Sequence, residues 1–324
     1  MKLQSISVLS LLAALTMTSC RLDKPDPLPT GTTCTVQLSP KHESGLTESD
    51  EPLTMATGAK DLYAIQVYKK GTINEVKYAY GIFDNEDDMQ LELSAGTTYR
   101  IEICMIEEGT SRIAQDDNGG YHEPFVLSGS SGGPGKITNQ FTASMTQGLK
   151  TLTTGYAYVN QEGAEAAGYN RAPVSRYYGT TEITPTEDTR LTIDLKWVCF
   201  GLTVVPTDFT EGRIEVEMEG APLLTVTPDA PDAVTKQIFT FDHSLSSDDW
   251  TADDYSEEVP ISITWIKDDG SKVHFRYATD PTTIKRKTNK IFQISCGSSS
   301  SDGNMTITKE DPILTDEVET LALP

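Results

Sequence analysis

Along most of this chain apolar and polar residues alternate with a period of two, and turn signals interrupt the alternation about every ten residues. Successive side chains of a strand point to opposite faces, so such a pattern buries one face of a sheet and leaves the other wet. In YAIQVYKK, Tyr63, Ile65 and Val67 share a face. In NEVKYAYGIF, Val76, Tyr78, Tyr80 and Ile82 do. In DMQLELSAGTTYRIEICMI, Met89, Leu91 and Leu93 lead into a Ser-Ala-Gly turn and Tyr99, Ile101, Ile103 and Met105 lead out of it. The positions between them, Gln66, Lys77, Gln90, Glu92, Arg100 and Glu102, are predicted to face water.

Periodicity lapses from Asp116 to Gly135, through DDNGG and SGSSGGPG, which places the end of a first domain a little beyond. A second block then begins. RLTIDLKWVCFGLTVVP puts Leu191, Ile193, Leu195 and Trp197 on one side and then becomes apolar on both, as the central strand of a sandwich does. GRIEVEME follows with Ile214, Val216 and Met218 inward, then KQIFTF, KIFQISC and NMTIT. The clearest hairpin is VPISITWIKDDGSKVHFRYA, with Val259, Ile261, Ile263 and Trp265 entering the Asp269-Gly270 turn and Val273, Phe275 and Tyr277 leaving it. Glu162 to Ala167 is the one short helical run. The fold class is all-β, two β-sandwich domains in tandem, over residues 54–148 and 149–308, with an acidic extended tail at 309–324.

Met1 to Cys20 carries one positive charge, a short apolar core and small residues before a cysteine. The apolar stretch falls short of the roughly 20 residues a spanning helix needs, so it is an address rather than a membrane domain. Residues 1–19 read as a signal peptide and Cys20 as the lipid-attachment residue of an exported, outer-membrane-anchored chain; an ordinary signal cut nearby, with Cys20 incidental, is the alternative. Residues 20–53, rich in Pro, Thr, Ser and Asp, form a tether with one early strand at Cys34 to Leu38. RLDKPD after Cys20 hints at surface export.

Twenty-six basic residues stand against 48 acidic ones, a net charge of −22, which repels nucleic-acid phosphates and argues against a nucleic-acid partner. Beyond Cys20 the cysteines are Cys34, Cys104, Cys199 and Cys296, with no CxxC pair. They allow three full disulfide pairings or four free thiols used as small apolar residues.

No catalytic constellation emerges, and no cofactor or metal is expected. Gly129, Ser131 and Gly133 fit G-x-S-x-G, but Pro134-Gly135 follow where a helix should begin. The run into Gly135-Lys136 has Ser130 and Ile137 where a phosphate loop needs glycine and a hydroxyl. His42, His122, His243 and His274 show no metal-ligand spacing. The acidic loops at Asp84 to Asp88, Asp116 to Gly120 and Asp248 to Asp254 lack the spacing of a calcium-binding hand. Glu215 and Glu217, the carboxylates a hydrolase would need, alternate outward. Trp197 and Trp265 lie on apolar strand faces, which leaves Trp250, in SSDDWTADDY, as the exposed ring for a sugar.

The lipid-type signal, the polar tether, YAIQVYKK...YAYGIF...LSAGTTYRIEI in a first β domain, and LTIDLKWVCFGLTVV through IKRKTNKIFQISC in a second, together resemble the fimbrillin-like surface lipoproteins of anaerobic Gram-negative bacteria. The resemblance implies two transthyretin-like sandwiches, no catalysis, and a role as fimbrial subunit, anchor or adhesin. Its partners are then the membrane, through the N-terminal lipid, and other fimbrial subunits or host and microbial surface ligands. It also implies assembly by strand donation, after a protease that cuts behind an arginine releases an early strand. This chain departs there: between Arg21 and Arg100 it has no arginine, so another protease acts, at Lys41 or Lys60, or the chain remains an anchor. The C-terminal EDPILTDEVETLALP, with Ile313, Leu314, Val318, Leu321 and Leu323, is the candidate for strand donation; docking on its own second domain, or a frayed end, are the other readings. A glycan-binding surface lipoprotein acting through Trp250 is the alternative function.

Overall fold

The computed structural model describes residues 31–43, 59–112, 121–128, 134–135, 137–149, 157–158, 168–169, 171–229, 235–242, 250–297 and 315–321. They are almost entirely strands and connecting turns, an all-β architecture as the alternation requires. Among them no helix is long and apolar enough to cross a membrane.

The largest sheet has eight strands in the order Gln90–Ser94, Thr33–His42, Thr189–Trp197, Arg176–Ile183, Tyr99–Ile106, Leu62–Lys70, Glu75–Phe83, Thr142–Ala143. Its pairings are antiparallel except one: the first strand, Thr33–His42, runs parallel to Thr189–Trp197. One face gathers Val36, Leu38, Ile65, Leu91, Ile103, Ile193 and Trp197 into a closed apolar core. Leu191, Ile193, Leu195 and Trp197 line up on that core as their spacing dictates, but in the sheet of the first alternating block. The 148/149 boundary expected from the sequence therefore falls ahead of two strands, 176–183 and 189–197, that pair with the N-terminal part of the chain.

At Val198 the apolar run passes from one layer to another. Trp197, Val198 and Cys199 are all buried, and the chain continues as Cys199–Thr207 in the centre of a four-stranded sheet, antiparallel to Thr235–Thr240 and parallel to Thr288–Ser295. Thr315–Leu321 adds to the far edge, parallel to Thr288–Ser295. A second four-stranded sheet, Leu224–Val226, Arg213–Met218, Ile261–Ile266 and Lys272–Arg276, contributes to the same core, where Phe200, Leu202, Ile214, Val216, Ile263 and Phe292 meet. The Asp269-Gly270 turn forms as expected. Gly270 sits at φ +81°, the left-handed region that favours glycine, and Ser271 N–H donates to Asp269 Oδ1 at 2.8 Å.

Two sequence expectations change. In Glu75–Phe83 the first core is built by Ala79 and Phe83, while Ile82 turns to the second core and Val76 is exposed. A register shift between Val67 and Tyr68 in the neighbouring strand accompanies the irregularity. Gln66 and Glu102, expected in water, are buried. Gln66 is tolerated because its amide is fully used: Nε2 donates to Val67 O at 3.1 Å and Ala79 O at 3.0 Å, and Oε1 accepts from Leu149 N–H at 2.9 Å. Glu102 is paired with Arg100, which also holds Glu75 at 2.8 Å.

Candidate functional site

The first strand belongs to the stretch expected as a tether, and it lies inside a sheet rather than on its rim, so this part of 20–53 is folded into the first layer. Cys34, Val36, Leu38 and Pro40 point inward, and the first three retain at most 1% exposure. Thr33 to Gln37 pair with Ser94 to Gln90 on one side, and Val36 to His42 pair with Thr189 to Leu195 on the other. The N–H groups of odd-numbered residues point toward 189–197: Thr35 N–H reaches Asp188 Oδ1 at 2.7 Å and Glu43 N–H reaches Leu195 O at 2.9 Å. Those of even-numbered residues point the other way, as Leu38 N–H does to Met89 O at 2.9 Å. Pro40 thus occupies an even position just past the end of the 90–94 pairing, where the N–H it lacks has no ladder bond to make.

The strand ends in a charge clasp. Glu43 Oε1 lies 2.9 Å from Lys196 Nζ, and Oε2 lies 2.7 Å from Lys287 Nζ and 3.1 Å from Arg286 Nη1. Trp197 N–H also donates to Glu43 Oε2 at 3.2 Å. The Arg286 side chain is wholly buried and its donors are spread over Ala252 O at 2.7 Å, Trp197 O at 3.0 Å and Asp253 Oδ1 at 2.5 Å. Burial pushes the Glu43 carboxyl up, but the bonds from Lys287, Lys196 and Trp197 N–H and the charge of Arg286 outweigh it and bring the pKa down to about 2. Beside the clasp, Tyr63 O–H donates to Glu86 Oε1 at 2.6 Å, and the His42 ring lies 5.3 Å from that of Tyr177. The strand is held by removable forces: ladder bonds, alternating apolar side chains and one ionic cluster.

Elsewhere the predicted positions fare unevenly. Trp250 is a correction: it is 1% exposed, the largest of the fully buried side chains, with its ring 5.3 Å from Tyr178. A ring so covered has no face for a sugar. Acidic neighbours disguise it as a surface residue, whereas the fold places it in the second core. The four cysteines at 34, 104, 199 and 296 are buried free thiols, which removes the disulfide alternatives. Burial pushes Cys104 up to about 11 and Cys199 to about 12. Glu215 and Glu217 point away from the core, Glu215 onto Arg213 at 2.7 Å and Glu217 toward Ser262 at 3.1 Å. His274 is exposed and bonded to Thr264 Oγ1 at 3.0 Å. Among the described residues no group of three or more His, Cys, Asp or Glu is placed to hold a metal.

Val318 falls opposite Ile291 and Leu321 opposite Ile294, so the tail docks on its own chain. Cys20, Ile313, Leu314 and Leu323 lie outside the described residues, as do the Glu162 to Ala167 run and NMTIT. Sequence reasoning did not find the clasp. Its one local signal is the cationic triplet in IKRKTNK, and Glu43 is 243 positions from Arg286.

No family model matches the chain, and no curated protein does. Among solved structures it is similar to the fimbrial anchor protein Mfa2 from Porphyromonas gingivalis, at 10% identity over 90% of this chain and 91% of that one, with a TM-score of 0.35. It is also similar to a fimbrial assembly protein from Parabacteroides distasonis, at 11% identity over 82% and 90% with a TM-score of 0.32. A third is a candidate polysaccharide-binding protein from Bacteroides thetaiotaomicron, at 13% identity over 74% and 78% with a TM-score of 0.37.

Proposed function

We propose that this chain is a surface lipoprotein of fimbrillin type, anchored in the outer membrane through acyl chains on Cys20, that works by protein–protein contact as a fimbrial subunit, anchor or adhesin. The observation that carries the reading is the place of the first strand. A segment within the expected tether fills a slot between 90–94 and 189–197 with three deeply buried side chains, and no covalent crosslink among the described residues fixes it there. A neighbour's extended segment with the same alternation offers equal ladder bonds and equal apolar burial, which is the physics of strand donation. The signal sequence, polar tether and strongly acidic surface support an exported chain that stays soluble beyond its anchor.

Activation by cleavage behind an arginine does not suit this sequence, which offers the exposed Lys41 and Lys60 instead. An anchor or non-polymerising role fits better. Growth of expressing cells with labelled palmitate, followed by intact-mass analysis and protease shaving of whole cells, tests the proposal. Label on the wild type, none on Cys20→Ala, and loss of the protein on shaving are expected. An unlabelled chain, or one fully protected in intact cells, overturns surface anchoring.

A further inference from the structure

We infer that the cations at the end of the first strand's slot select the strand that fills it, favouring a segment that carries a carboxylate three residues beyond its last inward side chain. The inference rests on the strand-replacement reading above and adds to it the chemistry of the partner.

One of the cations, Lys196, stands on a wall of the slot, and the other two come from a distant part of the chain. The walls are strands 90–94 and 189–197, and they recognise only backbone and apolar alternation. At the His42 end, Lys196, Arg286 and Lys287 converge on one carboxylate that the strand itself supplies. If the strand leaves, Glu43 leaves with it. Asp253 then remains as the acid near the clasp, 2.5 Å from Arg286 and 4.0 Å from Lys196, but its side chain is 83% exposed and it does not touch Lys287 among the ion pairs seen. Arg286 cannot turn out to water, because three of its other bonds, to Ala252, Trp197 and Asp253, hold it in place.

An emptied slot therefore ends in three clustered cations, on a molecule whose net charge of −22 otherwise repels acidic segments. A lysine or arginine at the Glu43 position of an incoming strand meets like charge there. A neutral residue leaves Lys287 and one Arg286 donor without their acceptor. An acid answers all three cations at once, as Glu43 does. The ladder fixes the register, since a slip of one residue turns every inward side chain outward and a slip of two moves the acid off the clasp. The ladder thus supplies affinity, and the clasp supplies discrimination between acidic, neutral and basic partners.

The test uses the full chain with a site-specific protease sequence inserted between residues 44 and 58. Once cut, the first strand is held without a covalent link. Its exchange with a fluorescent peptide of residues 31–45 is followed by polarisation, under reducing conditions, with unlabelled competitors. The Glu43→Lys peptide is expected to compete at least about tenfold more weakly than the wild-type peptide, with the Glu43→Gln peptide between them. In a cut chain carrying Lys287→Glu, or Lys196→Glu should the former fail to fold, the gap between the wild-type and Glu43→Lys peptides shrinks or reverses. Equal competition by all three peptides, with a scrambled peptide inert, overturns the charge selection and leaves strand replacement standing. A cut strand that never exchanges with wild-type peptide, even on warming to just below the melting point, overturns strand replacement and the selection with it.

Discussion

The first and last described strands occupy opposite situations with the same geometry. Each comes from one end of the described chain and each lies parallel to its neighbour, Thr33–His42 on Thr189–Trp197 and Thr315–Leu321 on Thr288–Ser295. The first is flanked on both sides and closed off by Glu43, whereas the last has one neighbour and forms the rim of its sheet. Strand pairing alone does not make a segment structural. What separates the two is how many buried side chains and ionic contacts each loses on leaving, and this orders the experiments that follow.

Removing residues 1–43 has the largest expected effect. Val36 and Leu38 are each worth about 1.5–3 kcal/mol of apolar burial, and Cys34 adds a smaller share, so a loss of roughly 4–8 kcal/mol rivals the whole margin of an ordinary domain. Trp197 belongs to the first core and Trp265 to the second. Single-tryptophan variants unfolded in urea should therefore show the Trp197 transition collapsing while the Trp265 transition survives. Joint collapse of both would mean that the two cores unfold as one unit and that the strand serves both.

Within the strand, Leu38→Ala should cost about 3 kcal/mol, since Leu38 is 1% exposed and a cavity left by a buried leucine costs 2–5 kcal/mol. Gln37→Ala, a half-buried neighbour on the opposite face, should cost under about 1 kcal/mol. Equal costs would place the strand at a surface rather than in a core.

The presence of an early strand was legible in the sequence, and so were Ile193 with Trp197, the 261–276 hairpin and the all-β class, because alternation is a local signal that any sheet must obey; the early strand's burial inside a sheet was not. The partners of each strand were not. The parallel pairing of 33–42 with 189–197 joins residues about 150 positions apart, and nothing near Val36 announces Thr189. Gln66 and Glu102 were misplaced for the same reason: their polarity is answered by Leu149 N–H and Arg100, and only the folded chain shows the first of these. Trp250 shows the converse, an aromatic side chain among acids that is buried in the second core with its ring against Tyr178 on a distant strand.

The clasp gives a smaller effect with a pH signature. Glu43 has its pKa lowered in the fold, so its contribution is present above the ordinary glutamate value and fades as pH falls toward about 2. Stability against urea should fall between about pH 4.5 and pH 2, and Glu43→Gln should remove that part of the slope. The same variant should cost about 2–3 kcal/mol at neutral pH, because it leaves the buried Arg286 short of an anion. A Glu43→Gln chain with the wild-type slope would assign the acid sensitivity to other carboxylates.

The rim strand provides the smallest effect and the sharpest contrast. Deleting from Asp311 onward removes one ladder and the half-buried Leu321. It uncovers the edge of 288–295, whose Phe292 and Ile294 stay under the facing sheet. The expected cost is about 1–2 kcal/mol, read as a fall of a few degrees in melting temperature, with the Trp197 transition unmoved. The deletion also frees a row of backbone donors and acceptors, so self-association should rise in sedimentation alongside the fall in melting temperature. A tail that serves only its own sheet produces both effects, a tail that joins neighbours loses association on deletion, and a frayed end changes neither. The sign of the association change therefore separates a protective cap from a donor strand.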